Sequence, residues 1–199
     1  TIWPLKQLQD ISNAAHQANL KCHMDGARLF NAVVASGNSA AQYGKTMDSL
    51  WIDLSKGLGC PIGGVLAGQR DFIKEAFRFK HQFGGAMRQS GIIAAAGIYA
   101  LQNNIDRLAE DHENAQYLAK KLNEIPGIEV NPNSVETNLV FFDIKQSGRT
   151  SDEIARKLKQ KGVHIGAITT NQMRAVTHLD ITKDMIIKAT DILAKILEN

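Results

Sequence analysis

Short apolar segments that alternate with stretches of helical periodicity restrict this chain to a mixed α/β architecture. Strands are predicted at 20–24, 49–54 and 62–67, and helices after Pro4, at 27–35, at about 70–80 and at 89–103. Parallel strands need a crossover connection, which is usually a helix, so this order favours a mostly parallel sheet. In such sheets, ligands bind at the carboxyl ends of the strands.

A second unit is predicted after Asn104, where the sequence becomes more charged. A long amphipathic helix is predicted at 105–123 and ends before Pro126-Gly127. Beyond it the pattern predicts strands at 139–144, near Val163 and at 173–177, and helices at 151–161 and 182–197, the first capped by Thr150-Ser151 with Glu153. We therefore expect two domains: 1–104 with the sheet, and 105–199 as a smaller α+β domain that includes its linking helix.

Composition argues against several classes of function. With 199 residues, 44% hydrophobic and 22% charged, the chain is typical of a soluble globular protein. Its formal net charge of +3 predicts neither a nucleic-acid partner nor an acidic membrane surface as partner. The longest apolar stretch, 92–101, is too short to cross a bilayer.

Three further expectations concern the cysteines, metal binding and the start of the chain. Cys22 and Cys60 stand 38 residues apart, in no disulfide or redox pattern, which predicts a reduced, cytoplasmic protein. No group of His, Cys, Asp and Glu has the spacing of a metal-binding motif, so we expect no metal site. The chain begins at Thr1 without a methionine, and we expect it to be the carboxyl-terminal portion of a longer protein.

Two short motifs at the ends of predicted strands carry the chemistry. D-G-A-R occupies 25–28, and S-K-G-L-G occupies 55–59. Pyridoxal phosphate (PLP) requires an amine for a Schiff base and an anion that keeps the pyridine nitrogen protonated. Lys56 and Asp25 supply this pair. Taken singly, a lysine in such a turn more often faces solvent, an Asp before Gly-Ala-Arg is more commonly the N-cap of the next helix, and Arg28 would suit the helix surface. The two motifs together favour the functional interpretation.

Four segments resemble the low-specificity L-threonine aldolases, in the aromatic β-eliminating lyase/threonine aldolase family. They are H-M-D-G-A-R-L-F-N-A, D-L-S-K-G-L-G-C-P-I-G-G, G-G-A-M-R-Q-S-G-I-I-A-A-A-G-I-Y-A-L and R-A-V-T-H-L-D. The resemblance runs from about Leu20 to the end of the chain, in order. It implies a fold-type-I PLP-dependent transferase-like fold, with 1–104 as the last part of the PLP-binding large domain and 105–199 as the small domain.

The resemblance also implies a role for five residues. Lys56 would hold PLP through a Schiff base, and Asp25 would pair with the pyridinium nitrogen. Arg28 and Arg174 would grip the carboxylate of an amino-acid substrate, because a guanidinium fork fits a planar anion. Arg88 resembles a residue that reaches the cofactor phosphate of an adjacent subunit.

Other polar residues in these segments are less specific. The family usually has a lysine where His81 stands, and Lys80 is a candidate to replace it. His23 is interpreted as structural, in contact with Asp25 or a neighbouring helix, and His178 as a residue that orders the strand beside Arg174. The aromatic and basic mixture at 77–88 also suits single-stranded nucleic acid, but one short cluster in a nearly neutral chain favours an interface and phosphate role.

The activity implied by the resemblance is retro-aldol cleavage of L-threonine or L-allo-threonine to glycine and acetaldehyde. A homotetramer or homodimer with active sites at subunit interfaces is implied as well. The alternatives are a related β-eliminating lyase, a phenylserine aldolase, or an inactive folded fragment. Enzymes of this kind also carry a glycine-threonine turn for the phosphate and a side chain that stacks on the ring. We recognise neither in these 199 residues.

Overall fold

A computed structural model describes residues 1–198. The chain divides into two compact units. The N-terminal unit runs from Ile2 to Leu108, and the C-terminal unit comprises Thr1 and the chain from Ala109 onward. No helix in the described part is both long and apolar enough to span a membrane.

The N-terminal unit contains five helices and a three-stranded sheet. Its elements are α1 (Leu5–Gln17), β1 (His23–Gly26), α2 (Leu29–Ser36), α3 (Ala40–Gly44), β2 (Ser49–Asp53), β3 (Gly64–Gly68), α4 (Arg70–Gln82) and α5 (Gly91–Asn103). The strand order is β1-β2-β3. Every predicted strand and helix of this half is present, and the mixed α/β class is confirmed. The short helix α3 was not predicted.

The direction of β3 departs from a mostly parallel sheet. Strands β1 and β2 are parallel, whereas β2 and β3 are antiparallel. The connection between β2 and β3, residues 54–63, contains no helix. A parallel pairing requires a long crossover, so this short connection returns the chain in the opposite direction.

The two faces of this sheet have different neighbours. Ile52 of β2 packs on one face against a buried cluster formed by Leu54, Leu58, Cys60, Ala100 and Leu108. Side chains alternate along a strand, so Trp51 and Asp53 belong to the other face. Strand register places Asp25 opposite Trp51 on that same face. The apolar core therefore supports one side of the sheet and leaves the other for polar groups.

The C-terminal unit is an antiparallel sheet with three helices. Its elements are α6 (Leu108–Asn123), β4 (Leu139–Asp143), α7 (Ser151–Gln160), β5 (Gly166–Ala167), β6 (Gln172–Val176) and α8 (Lys183–Glu198), with strand order β4-β6-β5. The predicted cap of α7 is confirmed, since the Thr150 hydroxyl accepts a hydrogen bond from the backbone N–H of Glu153 at 3.3 Å. Helix α6 begins three residues later than predicted.

An apolar surface of the N-terminal unit faces solvent. All five residues of β3 are exposed, and α4 has no buried residue. The exposed apolar side chains extend through the turn after α4, where Phe83 is 80% exposed, to Ile92 of α5, which is 83% exposed. Contiguous apolar surface of this kind marks an interaction site in soluble proteins.

Candidate active site

Asp25 lies at the carboxyl end of β1, where glycine lets two strands approach closely. A Cβ atom on the neighbouring Gly26 would stand 2.3 Å from the carbonyl oxygen of Trp51, so only glycine fits this position of the ladder. The Asp25 side chain is exposed, and its Oδ1 accepts a hydrogen bond from the backbone N–H of Ala27 at 3.0 Å. Asp25 is thus the first residue of the turn. It is not the N-cap of α2, a position that Arg28 occupies.

Lys56 lies in the turn that follows β2. Its Nζ is 3.3 Å from Oδ2 of Asp53 and 5.6 Å from the ring centroid of Trp51. The turn is held by Asp53, whose Oδ1 accepts hydrogen bonds from the N–H of Ser55 at 2.6 Å, from the Ser55 hydroxyl at 2.7 Å and from the N–H of Lys56 at 3.3 Å. This geometry turns the lysine back over the end of its own strand.

Strand register brings the Asp25 carboxylate and the Lys56 amine to one face of the sheet. Asp25 is the parallel partner of Trp51, and the Lys56 ammonium lies over the Trp51 ring. The neighbouring strand β3 contributes Gly64 opposite Asp53, and a Cβ there would be 3.4 Å from the Trp51 ring. Because Gly64 has no side chain, the indole can lie close to β3. Asp25 and Lys56 are thus both neighbours of Trp51 on this face.

Asp53 is a residue of the candidate site that sequence reasoning missed. Partial burial raises the pKa of its carboxyl, but the hydrogen bonds from Ser55 and the ammonium of Lys56 outweigh that effect, and the pKa lies below its ordinary value. The carboxylate is therefore ionised at neutral pH and holds the ammonium of Lys56. The signal that could have found it is the D-x-S-K spacing, because Asp commonly accepts from the backbone N–H two residues later.

The two arginines expected to bind a carboxylate lie in different units. Arg28 is a partly buried residue of the N-terminal unit, three positions after Asp25 in the turn that leads into α2. Arg174 is an exposed residue of β6 in the C-terminal unit, between Phe141 of β4 and Gly166 of β5. Its neighbours Met173 and Ala175 are buried in the core, so the Arg174 side chain leaves the opposite face of the sheet.

The segment expected to contact a phosphate is exposed. Arg88 lies in the turn between α4 and α5, and Lys80 lies in the last turn of α4. His81 is held against its own helix, with Nδ1 3.1 Å from the carbonyl oxygen of Phe77 and the two rings 4.4 Å apart between centroids. The His81 side chain therefore already has a contact within α4, whereas the Lys80 side chain forms no hydrogen bond or ion pair within this helix, among the residues that the structure describes.

The two other histidines singled out in the sequence, His23 and His178, have local partners. His23 Nδ1 is 2.8 Å from the hydroxyl oxygen of Ser49, its partner across β1 and β2. We had expected His23 to contact Asp25 or a neighbouring helix. Its hydrogen bond is instead with the neighbouring strand. His178 Nδ1 is 3.4 Å from Oδ2 of Asp180, in the loop after β6.

Comparison with known proteins assigns the family. The beta-eliminating lyase family matches residues 1–147, and the chain belongs to this family. It is 42% identical over 185 residues to the low specificity L-threonine aldolase of Escherichia coli K12, covering 93% of this chain and 54% of that protein. It is 39% identical over 175 residues to low-specificity L-threonine aldolase 1 of Arabidopsis thaliana, covering 87% and 49%. The chain spans about half the length of the curated relatives it matches.

Solved structures agree with this assignment. A putative L-allo-threonine aldolase from Listeria monocytogenes superposes with a TM-score of 0.79 at 25% identity, over 98% of this chain and 56% of that one. A putative aromatic amino acid beta-eliminating lyase/threonine aldolase from Exiguobacterium superposes with a TM-score of 0.80 at 23% identity, over 98% and 58%. The resemblance inferred from the four segments and the fold class are both confirmed.

The family implies PLP, and the donor set of this sheet face fits that cofactor. A Schiff base needs a primary amine that an aldehyde can reach, and the Lys56 side chain is 39% exposed. A pyridinium nitrogen needs an ionised acceptor, and the exposed carboxylate of Asp25 lies on the same face. Trp51 is the strand neighbour of Asp25, and its ring lies 5.6 Å from Lys56 Nζ. The amine, the carboxylate and this aromatic ring are the groups that an aromatic aldehyde cofactor needs.

Proposed function

We propose that this chain is part of a PLP-dependent carbon–carbon lyase that cleaves L-threonine and L-allo-threonine to glycine and acetaldehyde. The observation that carries the proposal is that the Asp25 carboxylate and the Lys56 amine are both neighbours of Trp51 on one sheet face. The names of the curated relatives point to the same substrate. When bound, PLP supplies an electron sink for breaking the bond between Cα and Cβ.

Each residue of the site has a definite task in this proposal. Lys56 would hold the cofactor, since its Nζ is a primary amine of the kind that forms a Schiff base with an aldehyde. Asp25 stabilises the proton on the ring nitrogen, because a nearby anion favours the cationic form. Asp53 holds the Lys56 amine over the Trp51 ring while the lysine is not bonded to the cofactor. It is a positioning residue.

The substrate carboxylate is assigned to the arginines. Arg28 lies in the turn directly after Asp25, and a guanidinium there binds a carboxylate with two parallel hydrogen bonds. Arg174 is proposed as a further carboxylate ligand on the strength of its motif, R-A-V-T-H-L-D. Among the described residues, none forms an ion pair with Arg174. Its charge is therefore available for an anionic ligand.

The proposal includes a homo-oligomer, a dimer or a tetramer, with active sites at subunit interfaces. The exposed apolar surface of β3, α4 and α5 supports association. Arg88 lies in the turn within that surface and is proposed to contact the cofactor phosphate of an adjacent subunit. Residues 1–104 are proposed as the last part of a PLP-binding large domain and 105–199 as the small domain. Two free thiols, Cys22 and Cys60, support a cytoplasmic location.

The attachment of PLP to Lys56 is tested by trapping. The purified chain is mixed with excess PLP, reduced with borohydride and digested, and the modified peptide is identified by mass spectrometry. We expect the adduct on Lys56 and its loss in Lys56→Ala. The matched control is Lys45→Ala, an exposed lysine just after α3, which should keep the adduct. Equal labelling of the Lys56→Ala chain would contradict the assignment.

We expect the chain by itself to release no measurable acetaldehyde from threonine. It spans about half of its relatives, and we recognise no phosphate-binding turn at a helix N-terminus within it. A PLP group held by one covalent bond alone should dissociate readily. Robust turnover by the purified 199-residue chain would show that the phosphate site has been misplaced.

β-Elimination is the alternative favoured by a specific observation, the description of the matching family. The two reactions are separated by their products in the longer enzyme proposed here. Cleavage of the Cα–Cβ bond of threonine releases glycine and acetaldehyde, whereas elimination of its β-hydroxyl releases ammonia and a keto acid. Formation of the keto acid from threonine without glycine would replace the aldolase proposal.

A further inference from the structure

Three metal-ligating side chains meet at the end of the N-terminal sheet away from Asp25 and Lys56. They are His16 near the end of α1, Cys22 just before β1, and Asp48 just before β2. One ligand atom from each lies within 4.8 Å of the others. Since β1 and β2 are parallel, the residues that precede them share one edge of the sheet, and those that follow them share the other.

The backbone fixes two of these residues against each other. The N–H of Asp48 donates to the carbonyl of Cys22 at 3.0 Å, and the N–H of Cys22 donates to Oδ2 of Asp48 at 2.8 Å. His16 completes the group from α1, with Nε2 2.8 Å from the same Oδ2. The cluster is therefore built from three separate segments. Only the side chains need to move to accept a ligand.

We propose that His16, Cys22 and Asp48 form a site for a thiophilic divalent cation, with Zn²⁺ as the best match. Imidazole nitrogen, thiolate sulfur and carboxylate oxygen are the protein ligands that Zn²⁺ uses, in tetrahedral geometry. Bond lengths of about 2.0–2.3 Å place tetrahedral ligands roughly 3.3–3.8 Å apart. Separations within 4.8 Å are closed by rotations of the side chains. Water would fill the fourth position.

The Asp48 carboxylate is already directed into the cluster. Its Oδ2 accepts a hydrogen bond from the backbone N–H of Cys22 at 2.8 Å and lies 2.8 Å from His16 Nε2. The Lys21 ammonium lies 3.1 Å from Oδ1 of the same carboxylate. Its side chain is 83% exposed, so it can turn into solvent when a metal arrives.

When the metal binds, the ligand side chains release protons to solvent. The Cys22 thiol loses its proton to solvent and forms the metal–sulfur bond. His16 binds through Nε2 as the neutral imidazole: the Nε2 hydrogen passes to solvent, and Nδ1 carries the hydrogen of the ring. The Asp48 carboxylate moves slightly away from Nε2 so that both bind the metal. Zn²⁺ with one thiolate and one carboxylate is neutral, and no redox step occurs. Affinity should therefore rise with pH, as protons compete for the ligands.

The consequence for the fold is a link between α1 and the sheet. Helix α1 has a single buried residue, Ser12, so apolar packing holds it weakly. A metal held by His16 of α1 and by the two strand-edge residues would fasten the helix without touching the proposed catalytic face. Metal binding and PLP attachment can therefore be tested separately. A negative result for one does not contradict the proposal for the other.

The site is tested with Co²⁺, whose spectrum reports thiolate ligands and tetrahedral geometry. The reduced, chelator-treated chain is titrated with Co²⁺ alone and then with Zn²⁺ as competitor. We expect one equivalent of Co²⁺ to give a sulfur-to-cobalt charge-transfer band, which Zn²⁺ abolishes. Cys22→Ser should remove the band and weaken Co²⁺ binding at least 10-fold. Cys60→Ala is the matched control and should keep the band, because Cys60 is the other thiol and is buried away from the cluster.

His16→Asn gives a second arm, in which Cys22 is retained. It should keep the fold, shown by an unchanged circular dichroism spectrum, and lose at least 10-fold in Co²⁺ affinity. Zn²⁺ should raise the unfolding temperature of the unaltered chain and of Cys60→Ala, but not that of His16→Asn. Absence of a thiolate band in the unaltered chain, or a band that survives in Cys22→Ser, would overturn the proposal.

Discussion

Replacing Gly26 by alanine tests the close approach of β1 and β2 on which the candidate active site depends. The added Cβ would lie 2.3 Å from the carbonyl oxygen of Trp51, a backbone atom that no rotamer change can move away. To reach even 3.0 Å, the strands must separate by about 0.7 Å, which stretches a hydrogen bond of ordinary length beyond the usual range. Gly26 is the last residue of β1 that pairs with β2.

The magnitude follows from two costs. Overpacking at a buried position costs about 1–3 kcal/mol, and a lost backbone hydrogen bond about 1 kcal/mol. Alanine also restricts the unfolded chain, which offsets about 0.4–1 kcal/mol. We expect Gly26→Ala to lower the free energy of unfolding of the N-terminal unit by about 2–3 kcal/mol, which is roughly a 30- to 150-fold larger unfolding constant.

Urea denaturation followed by tryptophan fluorescence measures this change in the correct unit. The two tryptophans of the chain, Trp3 and Trp51, both belong to the N-terminal unit. Gly91→Ala is the matched control, because a Cβ at the first residue of α5 meets nothing within 4 Å. It should be neutral or slightly stabilising. A Gly26→Ala chain within 0.5 kcal/mol of the unaltered one, on the order of an ordinary surface substitution, would refute the argument.

Three further predictions concern the charged groups of the site. Asp25→Asn should keep the fold and lose several orders of magnitude in kcat in the longer enzyme proposed here; equal turnover at neutral pH would show that Asp25 serves only its turn. Arg174→Lys keeps the charge but loses the two-pronged contact, so glycine, titrated against the absorbance of bound PLP, should bind about 2 kcal/mol more weakly; an unchanged Kd contradicts this role. Because the pKa of Asp53 lies below its ordinary 3.8 in the folded chain, its stabilising contribution is present above that pH and is lost as pH falls through the folded-state pKa. Asp53→Asn should remove this part of the acid sensitivity in urea titrations, and an identical pH profile for the variant would contradict it.

Local signals predicted the secondary structure well because the forces that set it are local. The second strand was predicted at 49–54 and is Ser49–Asp53, and the last helix was predicted at 182–197 and is Lys183–Glu198. Helix α2 was predicted at 27–35 and is Leu29–Ser36, and it is followed by Gly37, which adopts φ +73°. Apolar period, caps and glycine conformations act within a few residues, so they can be read directly from the sequence.

The direction of β3 was not predictable in this way. The alternation of strands and helices indicated parallel pairing, but the segment between β2 and β3 has no helix, and the strand returns antiparallel. Strand order and direction depend on how connections cross the sheet and on which faces become buried. Those are properties of the packed unit and not of any one segment.

In the candidate site, too, the sequence indicated which residues matter, and the structure showed how they are arranged. The motifs D-G-A-R and S-K-G-L-G pointed to Asp25 and Lys56 from the sequence alone. That both residues are neighbours of Trp51, and that Asp53 holds the lysine amine at 3.3 Å, appears only once the strands are in register. The residue types were readable because their chemistry is specific. Their arrangement was not, because it depends on pairing across the sheet.

The sequence by itself indicated the family and the helices and strands, and it is the source of the proposal that Asp25 and Lys56 bind PLP. Only the tertiary structure decided which distant side chains meet. The expectation of no metal site rested on the absence of a ligand motif, yet α1 and the starts of two parallel strands bring His16, Cys22 and Asp48 within 4.8 Å. Motif spacing detects ligands that share one local segment. Ligands contributed by a helix and two strand edges become neighbours only when burial of the apolar face has assembled the sheet.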